Sequence, residues 1–210
     1  MNLLKDNWTL YIHLPTDINW ALNSYKKITT FNKLEDSIVL LEYMNDELVT
    51  KCMLFIMKND VKPIWEDSNN SQGGCFSYKI SNDIVHCVWK KLCYLLIGNT
   101  LIDDIEILYN INGISISPKK NFCIIKLWLN NVEHMKNNKI FSNLLKEEEQ
   151  EKEQEKEQEK EQEKEQEKEQ EKEQEQEKED DNNIQDPFKI HELCNIDKQL
   201  CIFKQHNLLY

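Results

Sequence analysis

The chain has 210 residues and a formal charge of −12, but residues 147–181 are an almost unbroken Glu, Lys and Gln repeat holding 20 acids and 7 lysines, a net −13. Such a segment has too little apolar surface to build a core, so about 175 residues with a net charge of +1 remain for one folded domain. That balance gives no sign of the broad basic surface expected of a binder of long nucleic acid, and leaves a compact anionic ligand as the open alternative.

All 26 basic residues are lysines. Together with abundant Asn and Ile, this is the composition of AT-rich coding, as in large DNA viruses and some protists. Any anion site must then be built from point charges on flexible stems, without the bidentate fork of arginine. The seven cysteines show no CxxC spacing and the opening Met1–Asp6 shows no secretory signal, so reduced thiols in the cytoplasm are expected. No apolar stretch approaches the roughly 20 residues of a membrane span, which predicts a soluble protein.

In chain order, alternation around Trp8–Leu14 predicts a first strand. A helix is predicted from a cap at Asn32, with Glu35 three residues on and Leu34, Ile38, Leu41 and Val39 inward. β-rich runs follow at 49–57 and 74–80. A second helix is expected over 82–97, with Ile84, Val88, Leu92 and Leu95 on one stripe and Gly98 ending it. Two more strands are expected at 107–117 and 121–129, then a weaker helix at 131–145. Phe188, Ile190, Leu193, Ile202 and Phe203 resume the apolar pattern after the repeat. The expected organisation is a domain over 1–146, a low-complexity insertion over 147–181, and a segment over 182–210 that returns to the domain. The repeat itself reads as a solvated expansion, its period of four setting like charges at i,i+4. Strands outnumber helices, which points to an α+β fold with one antiparallel sheet and helices on a single face.

Chemistry concentrates in Val61-Lys62-Pro63-Ile64-Trp65-Glu66-Asp67, followed by Gly73-Gly74. An indole beside a carboxylate stacks on a purine and accepts hydrogen bonds from its edge, so Trp65 and Glu66 are suited to reading guanine, above all one that carries positive charge. A second tryptophan, Trp20, sits among turn-forming residues and would close a sandwich. Trp8 and Trp89, on periodic apolar elements, read as core. Four glycines leave no room for a phosphate loop or dinucleotide fingerprint, neither HExxH nor GxSxG occurs, and the five histidines lack metal spacing. An enzyme is not expected, nor any metal or cofactor.

In order along the chain, Asn7-Trp8-Thr9-Leu10-Tyr11, Trp20, Leu34-Glu35-Asp36, Lys62–Asp67 with its Gly-Gly, Trp89 through Gly98, Gly113-Ile114-Ser115-Ile116 and Lys126-Leu127-Trp128 resemble the eukaryotic translation initiation factor 4E family of messenger-RNA cap-binding proteins. The resemblance implies a single curved antiparallel sheet with about three helices on its convex face and a 7-methylguanosine cap held in the concave one. It puts the two base-stacking tryptophans at Trp20 and Trp65, the guanine-binding carboxylate at Glu66, and a tryptophan near the methyl group at Trp128. Lys119 falls where the family usually has a phosphate-binding arginine. A second basic phosphate ligand lands on Ile124, for which Lys126, on the same strand face, or Lys120 would compensate.

The resemblance also implies a docking surface for protein partners on the convex side, and there this chain departs. Near Glu35, Ile38 stands where a tryptophan is usual, and Lys90 and Lys91 replace a leucine and a glutamate. A reversed charge selects a different partner, so binding to a scaffold of the initiation factor 4G type through the usual motif is expected to be weak or absent, and any such scaffold to be one of altered specificity. The reading is a monomeric cap-binding protein that acts on capped mRNA in translation initiation, without a membrane. A cap-sequestering repressor or interaction protein on the same fold is the alternative.

Overall fold

The computed structural model describes residues 2–132, 188–194 and 201–206. All of them belong to the unit formed by Met1–Met135 and Asp186–Tyr210. The predicted helix at 131–145 lies, beyond Val132, outside the described residues, as do the repeat and residues 182–187.

Seven strands form one curved antiparallel sheet: β1 (Leu3–His13), β2 (Lys26–Lys33), β3 (Met53–Lys58), β4 (Gly74–Ser81), β5 (Ile111–Pro118), β6 (Phe122–Leu129) and β7 (Cys201–Gln205), in the order β2-β1-β3-β5-β6-β4-β7. The register divides the sheet into two chemically distinct faces, because paired residues share a face and neighbours along a strand do not. On one face Leu10, Ile56, Ile114, Leu127, Phe76 and Phe203 follow one another across β1, β3, β5, β6, β4 and β7. On the other the next row runs Tyr11, Phe55, Ser115, Lys126, Ser77 and Ile202. A row of apolar side chains needs cover, whereas a mixed row tolerates water.

Cover comes from α1 (Leu34–Tyr43), α2 (Asp46–Lys51), α3 (Val85–Ile97), α4 (Ile105–Asn110) and α5 (Ile190–Cys194). The long helix α3 packs against β1, β5 and β6 and buries Val88, Trp89, Leu92, Cys93 and Leu96. Trp8 and Trp89 are fully buried, and Phe188, just before α5, meets Phe76 edge-on.

Several boundaries differ from the sequence reading. Asn32 is a β2 residue and caps nothing; α1 starts at Leu34, whose N–H donates to the Asn2 carbonyl, while Glu35 accepts from the Asn2 N–H. Only Leu41 of the predicted inner face of α1 is buried, together with Ser37; Leu34, Ile38 and Val39 face outward. Residues 49–51 and 107–110, expected in strands, belong to helices α2 and α4. Asn45 and Asp104 accept bonds from the first free N–H groups of those helices, and local capping overrode β propensity. At the end of α3 the left-handed residue is Asn99 (φ 56°), not Gly98. Gly73 is required for another reason: a Cβ there would sit 1.7 Å from the Leu129 carbonyl oxygen, where β4 enters beside β6.

Candidate functional site

The open face of the sheet is walled at one end by the loop between β3 and β4. The chain turns at Asn59 and Asp60, both left-handed (φ 47° and 65°), and two side chains then fix it. Asp67 accepts from the Lys62 N–H and, at 2.9 Å, from the Asn69 N–H. Fully buried Asn70 donates to the carbonyls of Lys62 and Ile64, both at 2.8 Å. Its own Oδ1 accepts from Asn112 and its carbonyl receives a bond from His206 Nδ1. The adjacent acids therefore differ: Asp67 is consumed in holding the loop, and Glu66 is left exposed beside Trp65. The Trp65 indole is 38% exposed, its ring stacked on His206 with centroids 5.2 Å apart and planes 16° from parallel.

Trp20 lies on the loop after β1. Here the fixing contacts are local: Asp17 Oδ1 accepts from the Asn19 N–H and Asn19 Oδ1 accepts from the Ala21 N–H, successive Asx turns. The Trp20 ring is 57% exposed and stacks on the buried His13 imidazole at 4.4 Å and 2°. From His13 an unbroken series of ring contacts runs through Tyr25, Phe55, Trp128 and His206 to Trp65. The two exposed tryptophans thus end one aromatic chain laid across the open face, each backed by a histidine.

Charge is placed between these ends. The Tyr25 phenol is pushed up by burial and by the charge of Glu66. His206 is held below the usual imidazole value by burial and by Lys126, against the opposing pull of the Asn70 carbonyl and Glu66. Glu66 therefore reaches electrostatically both to the Tyr25 side and to the His206 side. With Nδ1–H donating to Asn70, His206 Nε2 accepts from the Cys75 thiol at 3.0 Å. Burial pushes that thiol up to about 12, so it keeps its proton. The ammonium groups of Lys126 and Lys204 lie 5.7 and 6.0 Å from the Trp65 ring centre.

Trp65, Glu66, Trp128 and Lys126 are thus brought together. Trp128 is 3% exposed, its indole N–H donating to Ser115 Oγ at 2.9 Å, and so forms floor rather than wall. Lys119 and Lys120 are exposed in the β5–β6 turn. That turn lies beyond the Pro118–Cys123 pair, about 17 Å from Trp128 at the usual strand rise. Sequence reasoning missed His13, Tyr25, Lys204 and His206. Alternation on the first strand places His13 with Tyr11 on the face opposite Leu10, a usable signal, whereas nothing local marks His206.

The opposite, helix-bearing side holds the other predicted residues. Leu34, Ile38 and Val39 are exposed on α1 at 38%, 42% and 56%. Lys90 is paired with Glu42 of α1 at 3.0 Å, and the same carboxylate accepts from the Tyr94 hydroxyl. These two donors hold the Glu42 carboxyl below its usual range, the Tyr94 bond contributing most. Lys91 is turned to the Leu193 carbonyl of α5. Glu35 faces the N-terminal strand.

An antiparallel sheet face that carries two exposed indoles, an exposed carboxylate beside one of them and two ammonium groups within 6.0 Å of that ring has the chemistry to take flat, charged rings. Residues 3–206 match the family model described as eukaryotic initiation factor 4E, and the chain belongs to that family. It is 27% identical over 135 residues to an initiation factor 4E homolog of Acanthamoeba polyphaga mimivirus, covering 54% of this chain and 50% of that one. It is 28% identical over 133 residues to initiation factor 4E of Saccharomyces cerevisiae, covering 60% of each. It spans about half to two thirds of the length of such relatives. A schistosome eIF4E solved with m7GpppA and 4E-BP superposes with a TM-score of 0.56 at 27% identity, over 62% of this chain and 72% of that one. A Caenorhabditis elegans eIF4E-3 structure, at 21% identity and a TM-score of 0.59 over 70% of this chain and 84% of that one, shares the fold.

Proposed function

We propose that this protein binds the 7-methylguanosine cap of messenger RNA, with the base between Trp20 and Trp65, and acts as a cytoplasmic translation initiation factor rather than as an enzyme. The observation that carries the reading is the aromatic chain on the open face, with an exposed tryptophan at each end and Glu66 acting on both the Tyr25 and the His206 sides. Methylation at N7 gives guanine a delocalised positive charge. Stacking of about 1–3 kcal/mol per base is then reinforced by a cation-π attraction of about 1–2 kcal/mol on desolvation. Glu66 accepts hydrogen bonds from the guanine N1 and N2 groups, charge-assisted bonds that adenine cannot supply. Lys126, beside Trp65, meets the cap phosphates, Lys119, in the turn about 17 Å from Trp128, meets phosphate further along the RNA, and Trp128 lies beneath the methyl group.

On the helix-bearing side, the Lys90–Glu42–Tyr94 cluster and the Lys91 bond to α5 support recruitment of a scaffold factor with altered specificity. Titrating intrinsic tryptophan fluorescence with 7-methyl-GTP and with GTP tests the cap reading. Quenching that needs the methyl group is expected, with affinity falling about 10- to 100-fold in Trp20→Ala, Trp65→Ala and Glu66→Ala. Equal, weak responses to both nucleotides would overturn it.

A further inference from the structure

Beyond Trp65 the open face continues over β4, β6 and β7, and its chemistry there is one-sided. These three strands contain three charged residues, Lys79, Lys126 and Lys204, and no acid. The register sets all three on the Trp128 face: Cys75 pairs with both Trp128 and Lys204, Ser77 with Lys126 and Ile202, and Lys79 with Ile124. Among the described residues none of the three has a carboxylate partner. Apolar groups interleave with them. Ile202 is 68% exposed on the edge strand β7, and Phe122, one pair beyond Ile124 on the same face, lies under the Lys79 ammonium at 4.7 Å. Three lysines with no acid on the same strands make this part of the face positive, and Ile202 sets an exposed aliphatic surface beside Lys126 and Lys204.

We propose that this surface is a track for the RNA that follows the cap, with Lys204, Lys126 and Lys79 meeting successive phosphates and Phe122 and Ile202 offering apolar platforms to the bases. The occupant follows from charge and from continuity. Lys126 and Lys204 already stand within 6.0 Å of the Trp65 ring, and from Trp128 to Phe122 the strand runs about 20 Å, further than one triphosphate reaches. Interleaved cations and apolar platforms are how single strands are held without sequence preference. The inference rests on the cap reading, since the cap fixes where the RNA enters.

The experiment compares 7-methyl-GTP with a capped RNA of about ten nucleotides across a series of salt concentrations, in the wild type, Lys79→Ala and Phe122→Ala. The capped RNA is expected to bind about tenfold more tightly than 7-methyl-GTP. Lys79→Ala should leave 7-methyl-GTP binding unchanged, weaken the capped RNA several-fold and lower the slope of log affinity against log salt by about 0.7. Phe122→Ala should weaken the capped RNA about 5- to 10-fold, with retained 7-methyl-GTP binding showing that it is folded. If both variants bind capped RNA as the wild type does, with an unchanged slope, the track is wrong and the cap reading stands. If 7-methyl-GTP fails to bind the wild type, the cap reading falls and the track with it.

Discussion

The two tryptophan walls are built in different ways. Trp65 stands on a loop stapled from within the fold: Asn70 is buried and joins Lys62, Ile64, Asn112 and His206, residues from three separate parts of the chain. Trp20 stands on a loop whose side-chain bonds run between near neighbours, from Asp17 to Asn23, with the stack on His13 as its main tie to the sheet. One wall is fixed by bonds that form only when distant parts of the chain come together, and the other by bonds local to its own loop. On the proposed cap reading, this division assigns the preset side of the sandwich to Trp65 and Glu66 and the adaptable side to Trp20.

The largest effect should come from Asn70→Ala. It removes a side chain whose amide serves two carbonyls and whose oxygen serves Asn112, all in a fully buried position. Buried polar groups left without partners cost about 1–3 kcal/mol each, so a loss of about 3 kcal/mol in urea unfolding is expected, with 7-methyl-GTP affinity falling further than stability alone explains. If affinity survives at wild-type strength in the folded variant, the Trp65 wall is not preorganised by this network.

Acid should act next, and on the same wall. Burial first, and Lys126 after it, hold the His206 imidazole below 6.5. The unfolded chain takes up a proton near 6.5 and the folded one only at lower pH, so below about pH 6.5 the unfolded state binds more protons and stability declines as acid is added. Protonation would also set a cation against the Trp65 ring that is to receive a cationic base. Cap affinity should therefore fall as pH drops through this window, and the fall should be blunted in His206→Gln. An equal decline in wild type and variant would move the cause to another group.

How far this was readable before folding depends on where each contact originates. Trp65, Glu66 and Asp67 are consecutive, so the motif was visible, but nothing in it says which acid is spent on the loop; that division comes from Lys62 and Asn69. His206 was invisible because its bond to Asn70 spans 136 residues, and the repeat lies between them. The α+β class followed from alternation, which the register of the sheet obeys. Periodicity failed on α1 for a physical reason: it locates an apolar stripe without saying what covers it, and Leu34 and Ile38 remain uncovered among the described residues. In α2 and α4, β-prone sequences became helices because Asn45 and Asp104 satisfy the first N–H groups.

Asn19→Ala should give the smallest change, and the reason lies in how that residue is used. Its side chain makes two bonds, accepting from the Ala21 N–H at 2.9 Å and donating to Asn23 at 3.1 Å, both in an exposed loop. Its carbonyl, which accepts from His13 Nε2 at 2.8 Å, belongs to the backbone and survives the substitution. The histidine platform under Trp20 is therefore retained, and only local turn bonds are exchanged for water. Each is worth about 0.5–1.5 kcal/mol at most, and less where solvent replaces it, so cap affinity should weaken about two- to threefold with stability nearly unchanged. A loss as large as that of Asn70→Ala would mean that Trp20, too, must be preset, and that both walls are rigid before the ligand arrives.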